Sequence, residues 1–140
     1  MLVCRDVTAE VSFCKTAFEA VELGRRQGPD GTTAHALMTI NGEMIIIEAE
    51  WPTLASRAPQ PDGSSSVVIF IYVADVDLAV ARAVDGGARI LLPIKNQFWG
   101  DRTARIIDPA GHVWTIATRF EDTSSAERDD RWSEIVSKRV

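Results

Sequence analysis

Cysteine is nearly absent from this sequence. Cys4 and Cys14 are the only two among 140 residues, too few to staple a disulfide framework. Cys14 falls on an apolar helical stripe, where a small core side chain is expected rather than a reactive thiol. No apolar run approaches the roughly 20 residues that a membrane span requires, and Met1-Leu2-Val3-Cys4-Arg5-Asp6 lacks the pattern of a signal peptide. A basic stripe is missing too. Lys and Arg number 15 against 20 Asp and Glu, a net charge of −5, which argues against nucleic acid or an anionic membrane as partner. These absences lead to an expectation of a cytoplasmic protein with reduced cysteines. At 140 residues and 46% apolar content, the chain can build one core but not two.

Turns are the clearest local signals present. Asp108-Pro109-Ala110-Gly111 has type I chemistry: Asp bonds forward to the backbone, Pro presets φ, and Gly suits the fourth corner. It joins predicted strands over Thr103–Ile107 and His112–Thr118, rich in β-branched and aromatic residues. Asn41-Gly42, the usual type I′ pair, closes a hairpin of Ala34–Ile40 with Glu43–Glu48. Leu2–Cys4, Val21–Leu23, Val67–Val73 and Ala88–Leu92 read as further strands, the third covered on both faces, and Arg25–Gly31 reads as a loop. Val7, Val11, Cys14 and Phe18 recur at helical spacing, which predicts a helix over about Thr8–Phe18 with Thr8 or Asp6 as cap. A second helix starts at the Asp75 cap, buries Val76, Ala79, Val80 and Ala83, and stops at Gly86-Gly87. Ser124 and Glu127 are spaced for a capping box, opening a charged C-terminal helix with Trp132, Ile135 and Val136 on one side.

The two halves repeat. Asp75-Val76 stands 69 residues after Asp6-Val7, and Gly111 stands 69 residues after Gly42. Each half is a strand, a helix and three strands, so the chain reads as a duplicated supersecondary unit rather than a solenoid. Two such units can lay their sheets edge to edge, with helices outside and a concave face inside. The expectation is one α+β domain of two βαβββ modules in a mixed sheet, over about residues 1–51 and 67–121. Pro52–Ser66, polar and rich in Pro, Ser and Gly, would be a mobile connector, and residues 122–140 a helical tail.

Three phrases, RDVTAEVSFCKTAF, IYVADVDLAVARAVDGGA and QFWGDRTARIIDPAGHVWTIAT, resemble the vicinal oxygen chelate superfamily of glyoxalases, bleomycin-resistance proteins and extradiol dioxygenases. The last phrase is especially similar to the PhnB-like branch. The resemblance spans about Leu2–Glu121, with Cys14 where an aromatic is usual and Glu19 where Gly is usual. It implies paired βαβββ modules, a cup-shaped cavity and commonly a homodimer. It also implies a metal centre in the enzymes, with His and Glu ligands on inner strands. Here the first ligand position would fall ahead of Leu2. Two others fall on Val68, which cannot coordinate, and Thr115, a poor substitute for a carboxylate. Only Glu48 keeps an acidic position, with Ile46 as the alternative in register. One carboxylate does not hold a divalent ion. No metal or other cofactor is therefore expected, a divalent metal being the alternative.

Alternation along the hairpin sends His35, Leu37 and Thr39 with Met44, Ile46 and Glu48 to the inner face, and Ala36, Met38, Ile40, Ile45 and Ile47 to the helices. Glu48 reads as a general base if its carboxyl is buried and unpaired, or as a strand-end carboxylate in water. His35 reads as a base or ligand contact, or as a hydrogen-bonded strand histidine. His112 should be structural, beside Trp114. Phe70 and Tyr72 share the inward parity of Val68 and suit an aromatic cavity wall, or belong to the core. Trp99 lids the cavity or enters a dimer interface, and Trp51 lines the mouth in the same way. Arg102 holds a ligand anion, or pairs with Asp101 or Asp108.

Two functions of different classes follow. The first is a metal-free homodimer that holds a hydrophobic or aromatic small molecule in its inner cavity. The second is a lyase, isomerase or dioxygenase of the same superfamily, metal-dependent or using Glu48 or His35 as base.

Overall fold

Both modules are laid out by the same local chemistry. In the computed structural model, which describes residues 1–60 and 64–139, module one runs β1 (Leu2–Cys4), α1 (Val7–Phe18), β2 (Val21–Gln27), β3 (Thr33–Ile40) and β4 (Glu43–Ala49). Module two runs β5 (Val68–Tyr72), α2 (Val76–Asp85), β6 (Arg89–Asn96), β7 (Asp101–Ile107) and β8 (Val113–Arg119), and α3 (Ser125–Ser137) follows. Aspartates cap the two equivalent helices: Asp6 accepts from the Ala9 amide at 2.9 Å, and Asp75 accepts from the Leu78 amide at 3.1 Å. These bonds satisfy N–H groups that a first turn leaves without partners. Ser124 and Glu127 form the expected capping box on α3.

Each module makes one mixed four-stranded sheet, in the order β1-β4-β3-β2 and β5-β8-β7-β6. The first and last strands of each module pair in parallel, and the others are antiparallel. The architecture is α+β, as the repeat predicts. Asn41 and Gly42 both have positive φ, 51° and 82°, as a type I′ turn demands. At the other turn the Gly111 amide donates to the Asp108 carbonyl at 3.0 Å. No helix among the described residues is long and apolar enough to cross a membrane.

Three expectations need correction. Arg25–Gln27 is not loop but the end of β2, because Arg25 and Arg26 pair with Ala36 and His35. Likewise β6 continues past Leu92 to Asn96. Its Pro93 is tolerated because β6 is an edge strand whose outer side needs no donor. Register irregularities in both β2 and β6 break the alternation that would have revealed their full length. Third, β5 is not covered on both faces. Ile69 and Ile71 pack on the core, but Val68, Phe70 and Tyr72 are 42%, 48% and 45% exposed. Residues 61–63 of the predicted connector lie outside the described residues. Its start is ordered as a 3-10 turn, Pro52–Leu54.

The helices meet each other, α1 covering β3 and β4 while α2 covers β7 and β8. Phe18 of α1 reaches into module two, where its ring centre lies 4.7 Å from that of Trp114. Trp114 is fully buried with Met38, Ile47, Ile106 and Ile116 in one shared core. The seam carries polar ties as well: Asn41 Nδ2 donates to the Tyr72 carbonyl at 2.6 Å, and His112 Nε2 lies 2.9 Å from the Val3 carbonyl. His112 is thus structural.

Glu10 sits at the same seam, 1% exposed. Its Oε1 accepts from the Cys14 thiol at 3.9 Å, and its Oε2 has no partner among the described residues. Burial, and then the nearby Asp108, push its carboxyl well above the usual range. Burial also raises the Cys4 and Cys14 thiols, which keeps them protonated and unreactive. Because the folded Glu10 holds a proton that the unfolded chain gives up, its contribution is intact below the ordinary carboxyl range and is lost as pH rises through neutrality. Replacing Glu10→Gln should therefore raise the melting temperature by ~2–5 °C at pH 8 and flatten its fall between pH 5 and pH 8. Equal destabilisation at both pH values would show that the carboxyl is not carrying this cost.

Candidate functional site

The inner face of module one is set by the hairpin register. His35 lies opposite Glu48, Leu37 opposite Ile46, and Thr39 opposite Met44. Glu48 is half-buried, and its Oε1 accepts from the Ser56 hydroxyl at 3.2 Å. Ser56 is brought there by a tight loop, closed where the Trp51 amide donates to the Ser56 carbonyl at 2.8 Å. Trp51 itself stands 59% exposed on that loop. The His35 ring makes no side-chain hydrogen bond among the described residues.

On module two the inner face has three rows across β5, β8 and β7. Val68, Val113 and Ile107 form the first, Phe70, Thr115 and Arg105 the second, and Tyr72, Ala117 and Thr103 the third. The Phe70 and Tyr72 rings pack edge to face with centres 5.3 Å apart. Beyond the third row lies Asp101, fully buried. Its Oδ2 accepts from the Tyr72 hydroxyl at 2.8 Å and from the Trp99 indole at 2.7 Å. Its Oδ1 accepts from Arg119 Nε at 2.9 Å, and Arg119 Nη2 donates to the Tyr72 oxygen at 2.7 Å. Burial alone would raise the Asp101 carboxyl, but these bonds from Tyr72, Arg119 and Trp99 outweigh it and hold the group below the usual carboxylate range. The Arg119 guanidinium also lies over the Tyr72 ring, 5.4 Å from its centre.

Trp99 is therefore fixed from both sides. Its indole N–H is tied to Asp101, and its ring meets Phe98 edge to face at 5.1 Å. Phe98 in turn packs on Trp132 of α3 at 5.4 Å. Gly100 shapes the loop: its φ is 103°, and a Cβ there would sit 2.2 Å from the Glu121 carbonyl oxygen, so no other residue fits. Arg102 does not pair with Asp101 or Asp108. Alternation along β7 turns it to the helix side, where Nε and Nη2 donate to the two Asp77 oxygens at 2.9 and 3.0 Å. Sequence reasoning missed Asp101 and Arg119. The available signal was parity, since both share the inward set of Thr103 and Thr115.

Met44, Phe70 and Tyr72 meet in a cleft of about 400 Å³ between the β3–β4 turn and the edge of β5, which Ile40 and Glu43 also line. Val68, Ile46, Glu48, Thr115, Trp51, Trp99 and Arg102 are not in its wall. The donor chemistry does not fit a divalent ion. Val68 offers no ligand atom, and the Thr115 hydroxyl is taken by Arg105 Nε at 3.2 Å. Among the described residues no three His, Cys, Asp or Glu side chains converge.

Replacing Asp101→Asn presents an amide donor to the Tyr72, Trp99 and Arg119 donors. It should cost ~1–3 kcal/mol of stability in urea unfolding and shift Trp99 fluorescence to the red. Because the carboxyl is held low, the parent's advantage should persist at neutral pH and disappear as pH falls below the usual carboxylate range. An unchanged unfolding midpoint would mean that the network does not anchor the loop.

Known proteins share this fold. The profile of the Glyoxalase/Bleomycin resistance protein/Dioxygenase superfamily matches residues 1–116. An uncharacterized Mycobacterium bovis protein is 36% identical over 129 residues, covering 90% of this chain and 85% of that protein. A glyoxalase/bleomycin resistance protein/dioxygenase family enzyme from Burkholderia phytofirmans superposes with a TM-score of 0.69 at 19% identity, over 85% of this chain and 94% of that one. The fosfomycin resistance protein FosX of Listeria monocytogenes, in complex with Mn(II) and sulfate, gives 0.63 at 17% identity, over 94% and 92%. The duplicated βαβββ topology and the profile match together place this chain in the Glyoxalase/Bleomycin resistance protein/Dioxygenase superfamily.

Proposed function

We propose that this protein is a cytoplasmic, metal-free binding member of its superfamily that holds a planar aromatic small molecule against β5. The observation that carries the reading is the open row of Val68, Phe70 and Tyr72, all on one face of β5 and each more than 40% exposed. Two rings and a valine left to water on one side of a strand are an apolar surface that lacks its cover. The Phe70–Tyr72 pair gives a ligand ring faces to stack on, Met44 adds an adaptable apolar contact, and the adjoining network fixes Tyr72 so that little rotamer entropy is lost on binding. Val68 and Thr115 fall at positions where the resemblance to the superfamily implies metal ligands, and neither supplies a carboxylate or imidazole, which favours binding without an ion.

A second copy supplies the rest of the enclosure. Val21 and Leu23 on β2 and Ile90 and Leu92 on β6 are exposed apolar residues on the outer strands of both sheets. Such edges are commonly covered in oligomers, and the proposed homodimer would bury more than the roughly 1,000 Å² of a stable interface. The enzymatic reading rests on a different pair. His35 lies opposite Glu48 across β3 and β4, where one would act as base and the other orient it.

Planar aromatic compounds should quench tryptophan fluorescence on binding, and Phe70→Ala should weaken them about two- to tenfold. Purified protein should contain no stoichiometric Zn, Mn or Fe. Light scattering should give a dimer mass at micromolar concentration. If Trp99→Ala splits the dimer while leaving affinities unchanged, Trp99 belongs to the interface rather than the ligand site. Loss of a catalysed turnover in both Glu48→Gln and His35→Asn would replace binding with the enzymatic reading.

A further inference from the structure

We infer that Arg105 is an anion-binding residue of the concave face, and that the ligand is an aromatic acid whose carboxylate or comparable oxyanion docks on its guanidinium. The inference rests on the aromatic site proposed above and names the chemistry of its other end. Arg105 lies in the middle row of module two, opposite Thr115, which is in turn opposite Phe70. Its Nε donates to Thr115 Oγ1 at 3.2 Å, and Thr115 is only 7% exposed. That bond lays the guanidinium along the sheet over β8, toward β5. Adjacent strands are about 4.8 Å apart, so the cation and the Phe70 ring lie within the span of one bicyclic ligand.

Among the described residues no carboxylate pairs with Arg105. Arg82, Arg102, Arg119 and Arg131 each meet a carboxylate, at Glu19, Asp77, Asp101 and Glu121. Arg26, Arg57 and Arg89 stand exposed, where water solvates them. Arg105 is half-buried in the sheet face, and neither of its Nη groups has a protein acceptor among the described residues. A guanidinium set into a sheet with one neutral hydroxyl as its partner among the described residues costs desolvation free energy that an anion would return. Its free edge presents two parallel N–H donors, which match a carboxylate in bidentate geometry. Arg119 cannot play this part, because its Nε and Nη2 are committed to Asp101 and Tyr72. In a chain of net charge −5, a local cation is what an anionic ligand needs.

The test compares 2-naphthoate with 2-naphthylmethanol, alike in ring and size but differing in charge, by calorimetry and tryptophan quenching. Parent protein should bind the acid at least about tenfold more tightly than the alcohol, the ratio expected for a charge-assisted hydrogen-bond pair. Arg105→Met should abolish that preference while leaving the alcohol's affinity within about twofold. Arg105→Lys, which keeps the charge but not the fork, should retain part of it. The apo melting temperature of Arg105→Met should stay within a few degrees of the parent's, since removal of an uncompensated half-buried cation offsets loss of the single Nε–Thr115 hydrogen bond. Equal binding of acid and alcohol by the parent would overturn the inference and leave the aromatic site standing. So would an acid preference that survives in Arg105→Met. Failure of both probes to bind the parent would overturn the aromatic site itself, and this inference with it.

Discussion

The indole of Trp114 ties the two halves of the chain together. It is fully buried in module two, yet Phe18 of module one packs on its face. Its N–H donates to Asp108 Oδ2 at 2.8 Å, while Asp108 Oδ1 takes the His112 amide at 2.9 Å. One side chain thus sets the type I turn, positions β8 and holds α1 against the second sheet. A buried indole needs an acceptor, and Asp108 can remain beside it only because those two donors compensate its burial. Glu10 belongs to the same arrangement: burial, and then the nearby Asp108, push its carboxyl well above the usual range.

The inward face of module two depends on this placement. With β8 fixed, its inward residues Thr115 and Ala117 align with Phe70 and Tyr72 on one side and with Arg105 and Thr103 on the other. The modules share a topology but not a chemistry. The face of module one carries a carboxylate and an imidazole, Glu48 and His35, whereas that of module two carries a guanidinium in its central row. Duplication supplied two equivalent sheets, and side-chain divergence has made the two faces electrostatically unlike.

What was legible in the sequence was local. The caps at Asp75 and Ser124, the Asn41-Gly42 turn and the Asp108–Gly111 turn each depend on residues within four positions of one another and formed as expected, and of the two caps open for α1, Thr8 and Asp6, the structure uses Asp6. The 69-residue offset then led to the paired modules. The extensions of β2 and β6 were not legible, because their polar and proline-containing ends become strand only by pairing with β3 and β7. The site was legible only as a parity pattern. Val68, Phe70 and Tyr72 do share a face, but whether that face was covered depended on the edge position of β5. The partner of Arg102, 25 residues away on α2, could not be deduced from neighbouring acids. Local spacing makes Asp101 a partner for its neighbour Arg102, whereas its three donors, Tyr72, Trp99 and Arg119, are gathered by the folding of β5, β7 and β8.

The α3 helix has no buried side chain, yet it holds the loop that carries Trp99. Arg131 donates to the Phe98 carbonyl at 3.0 Å and forms a fork with Glu121, Thr123 donates to the Trp99 carbonyl at 2.7 Å, and Trp132 packs on Phe98. A helix attached by its rim opens at much lower free energy than the core beneath it. Amide exchange in α3 and in residues 97–100 should then occur as one subglobal event, separate from global unfolding. The order of the aromatic loop is thus shared between the buried Asp101 beneath it and the fraying of the last described helix.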